Sequence, residues 1–133
     1  MPLSGLVHDA DVFRLLGPEI GRGSSRKVYE YRGESDLVIK EHGHQPHMQN
    51  FTEWFIWIQI AGTPIAGSFG VCHAMSTSGR YLVMERLDDL SATDPLITFP
   101  RWTTDNKHSA QGRNGNGDVK IRDYGNVRLG SVL

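Results

Sequence analysis

Two glycines near the start of the chain could bind phosphate. Gly21 and Gly23 lie in a predicted hairpin that runs through residues 19–26 and continues as a strand at residues 27–31. Glycine has no Cβ, so backbone N–H groups in such a turn can come close to phosphate oxygens. An ordinary hairpin without a ligand shows the same pattern. The two glycines therefore allow phosphate binding but do not select it by themselves.

Three charged residues further along the chain could act with this turn. Lys40 ends a short apolar run, Glu53 lies in a predicted helix, and Asp123 follows a strand-like segment. Each has a plain alternative. A lysine at the end of an edge strand points into water, a glutamate three residues after Asn50 can cap a helix, and an Asp-Tyr-Gly sequence favours a simple turn. Glu41 is a second carboxylate that Lys40 could pair with.

Five strands and one helix must position these residues. A helix is predicted from Pro46 to the Gly-Thr-Pro sequence at 62–64, with Phe51, Phe55 and Ile58 on one apolar face. Residues 9–16 fit a short helix or a packed arm, and residues 88–117 show no clear pattern before strand-like alternation returns at 118–121. We therefore predict an α+β fold with a five-stranded antiparallel sheet and one helix. The strands are expected at residues 19–26, 27–31, 37–40, 69–75 and 80–87.

Length and composition are those of one folded domain. The chain has 133 residues, of which 38% are hydrophobic and 22% are charged, and its formal net charge is −1. This balance gives no general attraction to nucleic acid or to an anionic membrane. The single cysteine, Cys72, excludes an internal disulfide and is expected to be a small buried apolar residue. We expect a cytoplasmic protein that binds neither nucleic acid nor membranes.

The order of these segments resembles the protein-kinase superfamily. The series is GRGSSRKVY at 21–29, LVIK at 37–40, Glu53 on a helix, YLVMERL at 81–87 and KIRDYG at 120–125. The resemblance implies a single minimal kinase-like domain over residues 1–133, with an N-lobe at 19–87 and a reduced catalytic-loop and DYG segment at 88–133. It also implies ATP and Mg²⁺ as ligands.

The resemblance assigns roles in phosphate and metal binding. Lys40 would contact the α- and β-phosphates and would be oriented by Glu53, while Asp123 would hold magnesium. Gly21 and Gly23 would form the glycine loop. Arg26 stands where a third glycine is usual.

The same resemblance assigns the contacts to adenine. Val28 and Val38 would cover the base from above, and Met84 would be the gatekeeper beside it. Backbone groups of Glu85 and Leu87 would meet the edge of the base. Any residue type can supply those backbone groups, so their side chains add little to the resemblance.

Besides Lys40 and Glu53, the resemblance assigns catalytic roles to two residues of the segment at 88–117. Asp105 lies 18 residues before Asp123, and Lys107 follows Asp105 by two, which is similar to the spacing of the kinase catalytic loop. Asp105 would accept the proton of the substrate hydroxyl, and Lys107 would neutralise charge on the transferred phosphoryl group.

Several positions depart from the kinase pattern. Thr-Thr at 103–104 replaces His-Arg, Ala110 stands where a metal-binding asparagine is expected, and Gly112 replaces the apolar residue under the adenine. Only eight residues follow Gly125, so we expect neither an activation segment nor a substrate-binding lobe.

Two functions are consistent with these residues and their order. The first is a minimal kinase-like ATP-binding protein that transfers phosphate weakly or not at all. The second is a kinase-derived, non-catalytic interaction or inhibitor protein, which would bind a protein partner or itself through the surface left by the missing lobe. A phosphotransferase acting on a small molecule ranks third.

His42, His44 and His47 resemble a zinc cluster, but solvated or capping roles are commoner for histidines in a polar loop.

Overall fold

The structure is a computed structural model that describes residues 2–23, 25–43, 48–97 and 110–124. Its larger sheet contains six strands, and a smaller sheet contains three. Two helices, α1 (Asp9–Phe13) and α2 (Gln49–Ile60), and a short 3₁₀ helix (Ala66–Ser68) complete the described fold. The strands of the larger sheet are β1 (Gly5–Val7), β2 (Leu16–Arg22), β3 (Arg26–Tyr31), β4 (Glu34–His42), β5 (Cys72–Ser76) and β6 (Tyr81–Glu85), and those of the smaller are β7 (Asp88–Asp89), β8 (Gln111–Arg113) and β9 (Val119–Ile121).

The α+β class is confirmed, but the expectation of a purely antiparallel five-stranded sheet is wrong. Five strands pair antiparallel in the spatial order β5-β6-β4-β3-β2, and β1 adds a sixth strand parallel to β5, with Gly5 opposite Ala74. A strand of three residues is too short to show an alternating pattern, so the sequence gives no sign of β1. The larger sheet is therefore mixed.

The smaller sheet was also missed, except for its last strand. In this sheet β7 pairs with β8 and β8 pairs with β9, both antiparallel. Its first strand, β7, begins three residues after the last residue of β6. Strands of two and three residues carry no readable periodicity. A Cβ added at Gly112 in β8 would lie 2.7 Å from the Leu87 Cβ and 2.8 Å from the Asp88 carbonyl oxygen. The absence of a side chain at Gly112 thus lets β8 pack closely against the chain that leaves β6.

The larger sheet separates two hydrophobic clusters. On one face, Val38 and Met84 pack with Ile56 of α2 and Tyr124. On the other face, Leu37 and Ile39 pack with residues that include Val12 of α1. The central strand β4 is thus covered on both sides, which explains why its residues 37–40 form a continuous buried run instead of an alternating one.

Helix α2 buries only part of the apolar face that the sequence predicts. Asn50, Glu53, Ile56 and Ile60 are its buried residues, whereas Phe55 is 57% exposed and Ile58 is 50% exposed. The prediction is therefore wrong for Phe55 and Ile58, whereas Phe51, like Trp54 and Trp57, packs against the hydrophobic cluster on this side of the sheet. Two polar side chains are buried because partners on β3 and β4 bind them, as described below. Within the described ranges, no helix is both long and apolar enough to cross a membrane.

Candidate functional site

A cluster of four ionised side chains lies where α2 meets β3 and β4. We refer to Arg26, Lys40, Glu53 and Asp123 as the buried charge cluster, of which Asp123 is the one partly exposed member, at 38%. The Arg26 guanidinium donates to both Glu53 oxygens, from Nη1 at 2.9 Å and from Nη2 at 2.8 Å, and Lys40 Nζ donates to Glu53 Oε1 at 3.1 Å. Glu53 is fully buried, and the other two side chains are less than one-tenth exposed. Glu53 is therefore an anion held between two cations.

The segment after β9 completes the cluster. Arg26 Nη2 also donates to Asp123 Oδ1 at 3.0 Å, and Lys40 Nζ donates to the Arg122 carbonyl oxygen at 2.5 Å. The Tyr124 backbone N–H donates to Glu53 Oε2 at 3.0 Å. Residues 122–124 are thus bound to β3, β4 and α2 at one point. Lys40 neither ends an edge strand nor points into water, because β4 lies between β3 and β6.

The partner of Lys40 is Glu53 and not Glu41. Glu41 instead accepts hydrogen bonds from Tyr29 at 3.0 Å and from Arg80 at 3.0 Å. Side chains of successive residues in a strand point to opposite faces of the sheet, so Glu41 cannot face the same side as Lys40.

Asn50 fixes the start of α2 against this cluster. Its Oδ1 accepts a bond from Arg26 Nη1 at 3.0 Å, and its Nδ2 donates to the carbonyl oxygens of Gly79 at 2.9 Å and Arg80 at 3.1 Å. Its backbone N–H donates to His42 Nε2 at 3.1 Å. His42 therefore serves as an acceptor at the helix start. His44 and His47 lie outside the described residues, among which no group of three or more potential metal-ligating side chains occurs.

The charges of the cluster shift one another's protonation. Burial alone would raise the pKa of Glu53, but the neighbouring Arg26 and Lys40 charges outweigh it and lower the pKa to about 2. Burial lowers the pKa of Lys40, against the attraction of Glu53. Burial also opposes the charge on Arg26, yet the contacts with Glu53 and Asp123 raise its pKa. Glu53 is therefore ionised at neutral pH, with Arg26 as its main counterion.

A cavity of about 620 Å³ lies directly beside the cluster, between the turn of residues 21–23 and the end of β6. Lys40 and Asp123 line the cavity, and we call the part that they form its inner end; the fully buried Glu53 does not line it. Val28 and Lys40 face each other across β3 and β4, and Val38 and Met84 face each other across β4 and β6. The cavity brings together the residues to which the sequence assigned nucleotide and metal contacts, namely Gly21, Gly23, Val28, Val38, Lys40, Met84, Glu85, Leu87 and Asp123.

The end of β6 is held by its own contacts. Glu85 accepts bonds from Lys120 Nζ at 2.8 Å and from Asn114 Nδ2 at 3.2 Å, and these contacts lower the pKa of its carboxyl although burial acts in the opposite direction. The Leu87 carbonyl oxygen accepts a bond from Arg122 Nη1 at 2.6 Å. That carbonyl is thus already engaged, which leaves the Leu87 N–H as the backbone group to consider for a ligand.

Asp105 and Lys107, to which the kinase resemblance assigns catalytic roles, lie outside the described residues. Ala110, where a metal-binding asparagine was expected, is fully buried. Its carbonyl oxygen accepts the N–H groups of Arg122 at 2.8 Å and Asp123 at 3.2 Å. Ala110 therefore helps to position Asp123 through its backbone and offers no side-chain ligand.

The described residues do not fit the magnesium ion that the kinase resemblance implies. Mg²⁺ requires oxygen ligands in near-octahedral geometry at about 2.0–2.1 Å. The Asp123 carboxylate instead accepts a bond from the Arg26 guanidinium, whose fixed positive charge would repel a divalent ion. Ala110 adds only a methyl group. Among the described residues, the donor set at this end of the cavity thus consists of a single carboxylate that already has a cationic partner.

Sequence reasoning missed Arg26 and Asn50, which organise the site. Arg26 appeared only as a departure from a glycine pattern, and Asn50 only as a helix-capping position. Their contacts join residues 24 and 27 positions apart, and no local pattern reports such contacts.

Neither a scan against protein-family models nor a search among curated proteins gives a match for this chain.

Proposed function

We propose that this protein binds ATP in the cavity beside the buried charge cluster, in the manner of a kinase N-lobe. The observation that carries the proposal is the ion pair between Lys40 and Glu53 at the inner end of a cavity that also borders the glycine turn. An amine held by a buried carboxylate is well suited to meet phosphate oxygens, because its position is fixed before the ligand arrives.

The rest of the cavity supports a nucleoside as the second half of the ligand. Val28 and Val38 give it an apolar side on which a flat base can pack, and the Leu87 N–H lies at the end where the edge of the base would be read. A volume of about 620 Å³ falls in the range of pockets that bind small molecules and cofactors. The phosphates would then extend toward Gly21, Gly23 and Lys40.

We infer that phosphate transfer is weak or does not occur. Efficient transfer needs preorganised positive charge, including metal ions, at the transferred phosphoryl group. Here the Asp123 carboxylate, which would hold the metal ion, is bound to Arg26, and Ala110 offers no side-chain ligand. The assignment of Asp105 and Lys107 as proton acceptor and charge neutraliser stays a prediction.

Calorimetric titration of the folded protein with ATP tests the proposal. We expect saturable binding that Lys40→Met weakens by about tenfold or more, because a charged contact to phosphate is lost. Lys27→Met is the matched control, since Lys27 lies on β3 outside the cavity lining and should leave the affinity unchanged. Inorganic tripolyphosphate should bind more weakly than ATP if the base is recognised. Absence of heat and of thermal stabilisation at millimolar ATP would reject the proposal.

A second function, as an interaction protein, is favoured by the outer face of α2. Phe55 and Ile58 are both at least half exposed there, and the only charged residue of the helix, Glu53, is buried. An uncharged helix face with exposed large apolar side chains is typical of a contact surface. Sedimentation of the wild type and of Phe55→Asp over a range of concentrations tests self-association. A monomer at every concentration in both proteins would count against contact between copies.

A further inference from the structure

We propose that the Arg26 guanidinium takes the place of a divalent cation at Asp123, so that the nucleotide binds without metal. This inference rests on the proposed function, because it concerns how the same cavity neutralises phosphate. It concerns a residue for which the sequence predicted no role. The Arg26 side chain comes from β3, immediately after the glycine turn, and is only 7% exposed.

The geometry gives Arg26 a fixed position. Its Nη2 lies 2.8 Å from Glu53 Oε2 and 3.0 Å from Asp123 Oδ1, while its Nη1 reaches Glu53 Oε1 and Asn50 Oδ1. A planar guanidinium with several N–H donors suits this forked arrangement better than an ammonium would. Displacing it toward solvent would leave the fully buried Glu53 with Lys40 as its only cationic partner, which is strongly unfavourable. Displacement of Arg26 from Asp123 by a metal ion therefore has a large cost in free energy.

A metal ion also lacks further ligands at this end of the cavity. Glu53 has both oxygens engaged by Arg26, Lys40 and the Tyr124 N–H. Ala110 is buried and has no side-chain oxygen. The other carboxylates among the described residues that line the cavity are each paired with a cation, Glu85 with Lys120, Asp88 with Arg86 and Asp89 with Arg122. Asp123 alone is a poor site for magnesium unless the ligand supplies the remaining oxygens.

The charges of the cavity suit an anion without a metal. Among the described residues that line it, five side chains are cationic and four are anionic. Arg22 lies in the glycine turn itself and is 61% exposed, and it donates to both oxygens of Glu19, from Nη2 at 3.0 Å and from Nε at 3.2 Å. Water screens an exposed ion pair, so a phosphate with its larger charge can draw Arg22 away from Glu19. Arg22 and Lys40 would then meet the phosphates from two sides, while Arg26 neutralises the carboxylates behind them.

Calorimetric titration with ATP in two buffers of equal ionic strength, one with excess EDTA and one with excess MgCl₂, tests the inference on the wild-type chain. We expect dissociation constants that agree within about threefold. Binding with magnesium that weakens by about tenfold or more in EDTA overturns this inference and leaves the proposed function in place. Binding in neither buffer rejects the proposed function and this inference together.

Asp123→Asn sharpens the test because it distinguishes a metal ligand from a partner of Arg26. The amide keeps an oxygen that can accept the Arg26 bond but removes a negative charge from beside the phosphates. We expect the variant to bind ATP as tightly as the wild type or more tightly in both buffers. Asp118→Asn, at an exposed position outside the cavity lining, is the control. Loss of binding by folded Asp123→Asn only in magnesium would overturn the inference. If this variant does not fold, the wild-type comparison still decides.

Discussion

The Arg26 guanidinium and the Glu53 carboxylate form a two-point ion pair inside the protein, with Nη1–Oε1 at 2.9 Å and Nη2–Oε2 at 2.8 Å. This pair joins β3 to α2, while Lys40 joins the same carboxylate to β4. Helix α2 is therefore tied to two neighbouring strands through one side chain. A movement of α2 away from the sheet would separate three buried charges, so the ion pairs hold the helix in position together with its packing against the hydrophobic cluster.

Replacing Glu53 by glutamine should strongly destabilise the fold. The neutral amide leaves Arg26 and Lys40 buried without adequate compensation, and breaking a buried ion pair on one side typically costs about 3–5 kcal/mol. The measurement is the free energy of unfolding in urea at neutral pH. Glu34→Gln is the matched control, because Glu34 is only partly buried at the start of β4 and lies outside the buried charge cluster. Equal free energies of unfolding for the two variants would show that the buried charge cluster contributes little to stability.

Stability should fall on acidification because of the same carboxylate. The pKa of Glu53 is lowered from 4.5 to about 2 in the folded protein, since Arg26 and Lys40 outweigh the effect of burial. The unfolded chain therefore takes up a proton first as the pH falls. The stabilisation that Glu53 supplies is complete above pH 4.5, decreases below it and is lost as the pH passes about 2.

Urea unfolding at a series of pH values from 7 to 3 measures this effect. The free-energy difference between the wild type and Glu53→Gln should narrow below pH 4.5, because the variant has no proton to gain at this position. A difference that stays constant down to pH 3 would contradict the assignment of Glu53 as an anion in the folded state.

Asn50→Ala should destabilise the protein without changing any charge. The substitution removes one acceptor of Arg26 Nη1 and the amide donor to the Gly79 carbonyl oxygen, while the Arg80 carbonyl oxygen keeps the His42 N–H as a donor. Unpaired buried polar groups cost about 1–3 kcal/mol each. Unfolding in urea gives the loss, and Asn116→Ala at an exposed loop position is the control. A loss no greater than that of the control would mean that Asn50 does not hold the start of α2.

Cys72 should be unreactive in the folded protein. Its side chain is buried, and burial, followed by the Glu53 charge, raises the pKa of the thiol to about 12. Since the thiolate is the reactive form, iodoacetamide should label the folded protein very slowly at pH 8 and label it rapidly in urea. Mass spectrometry at timed intervals follows the modification. Complete labelling within minutes in the absence of urea would show that Cys72 is accessible to the reagent in the folded protein.

The sequence predicted the α+β class and the five strands that pair antiparallel, because each of them is long enough to show alternation or a buried run. It did not predict β1, β7 or β8, which have two or three residues and are held by pairing with strands distant in the chain. The predicted buried face of α2 was wrong at Phe55 and Ile58, since Asn50 and Glu53 are buried instead and their burial depends on partners elsewhere in the chain.

The candidate site could be predicted in part from the sequence. Lys40, Glu53 and Asp123 each stand at a recognisable position in a strand, a helix and a turn, and the structure brings them together. Arg26 was noted only for what it replaces. Its contacts with Glu53 and Asp123 span 27 and 97 residues, so they follow from tertiary structure and from no local pattern.

The order of these residues along the chain also determines when the contacts of the buried charge cluster can form during synthesis. Arg26, Lys40 and Glu53 are synthesised early, whereas the Arg122 carbonyl, Asp123 and the Tyr124 N–H that complete their contacts are made 69 or more positions after Glu53. A nascent chain that ends before these residues carries a Glu53 carboxylate that lacks one hydrogen-bond donor, and a Lys40 ammonium that lacks one acceptor. The sheet and α2 can associate at that stage, but they become fully bonded only after residues 122–124 have left the exit tunnel.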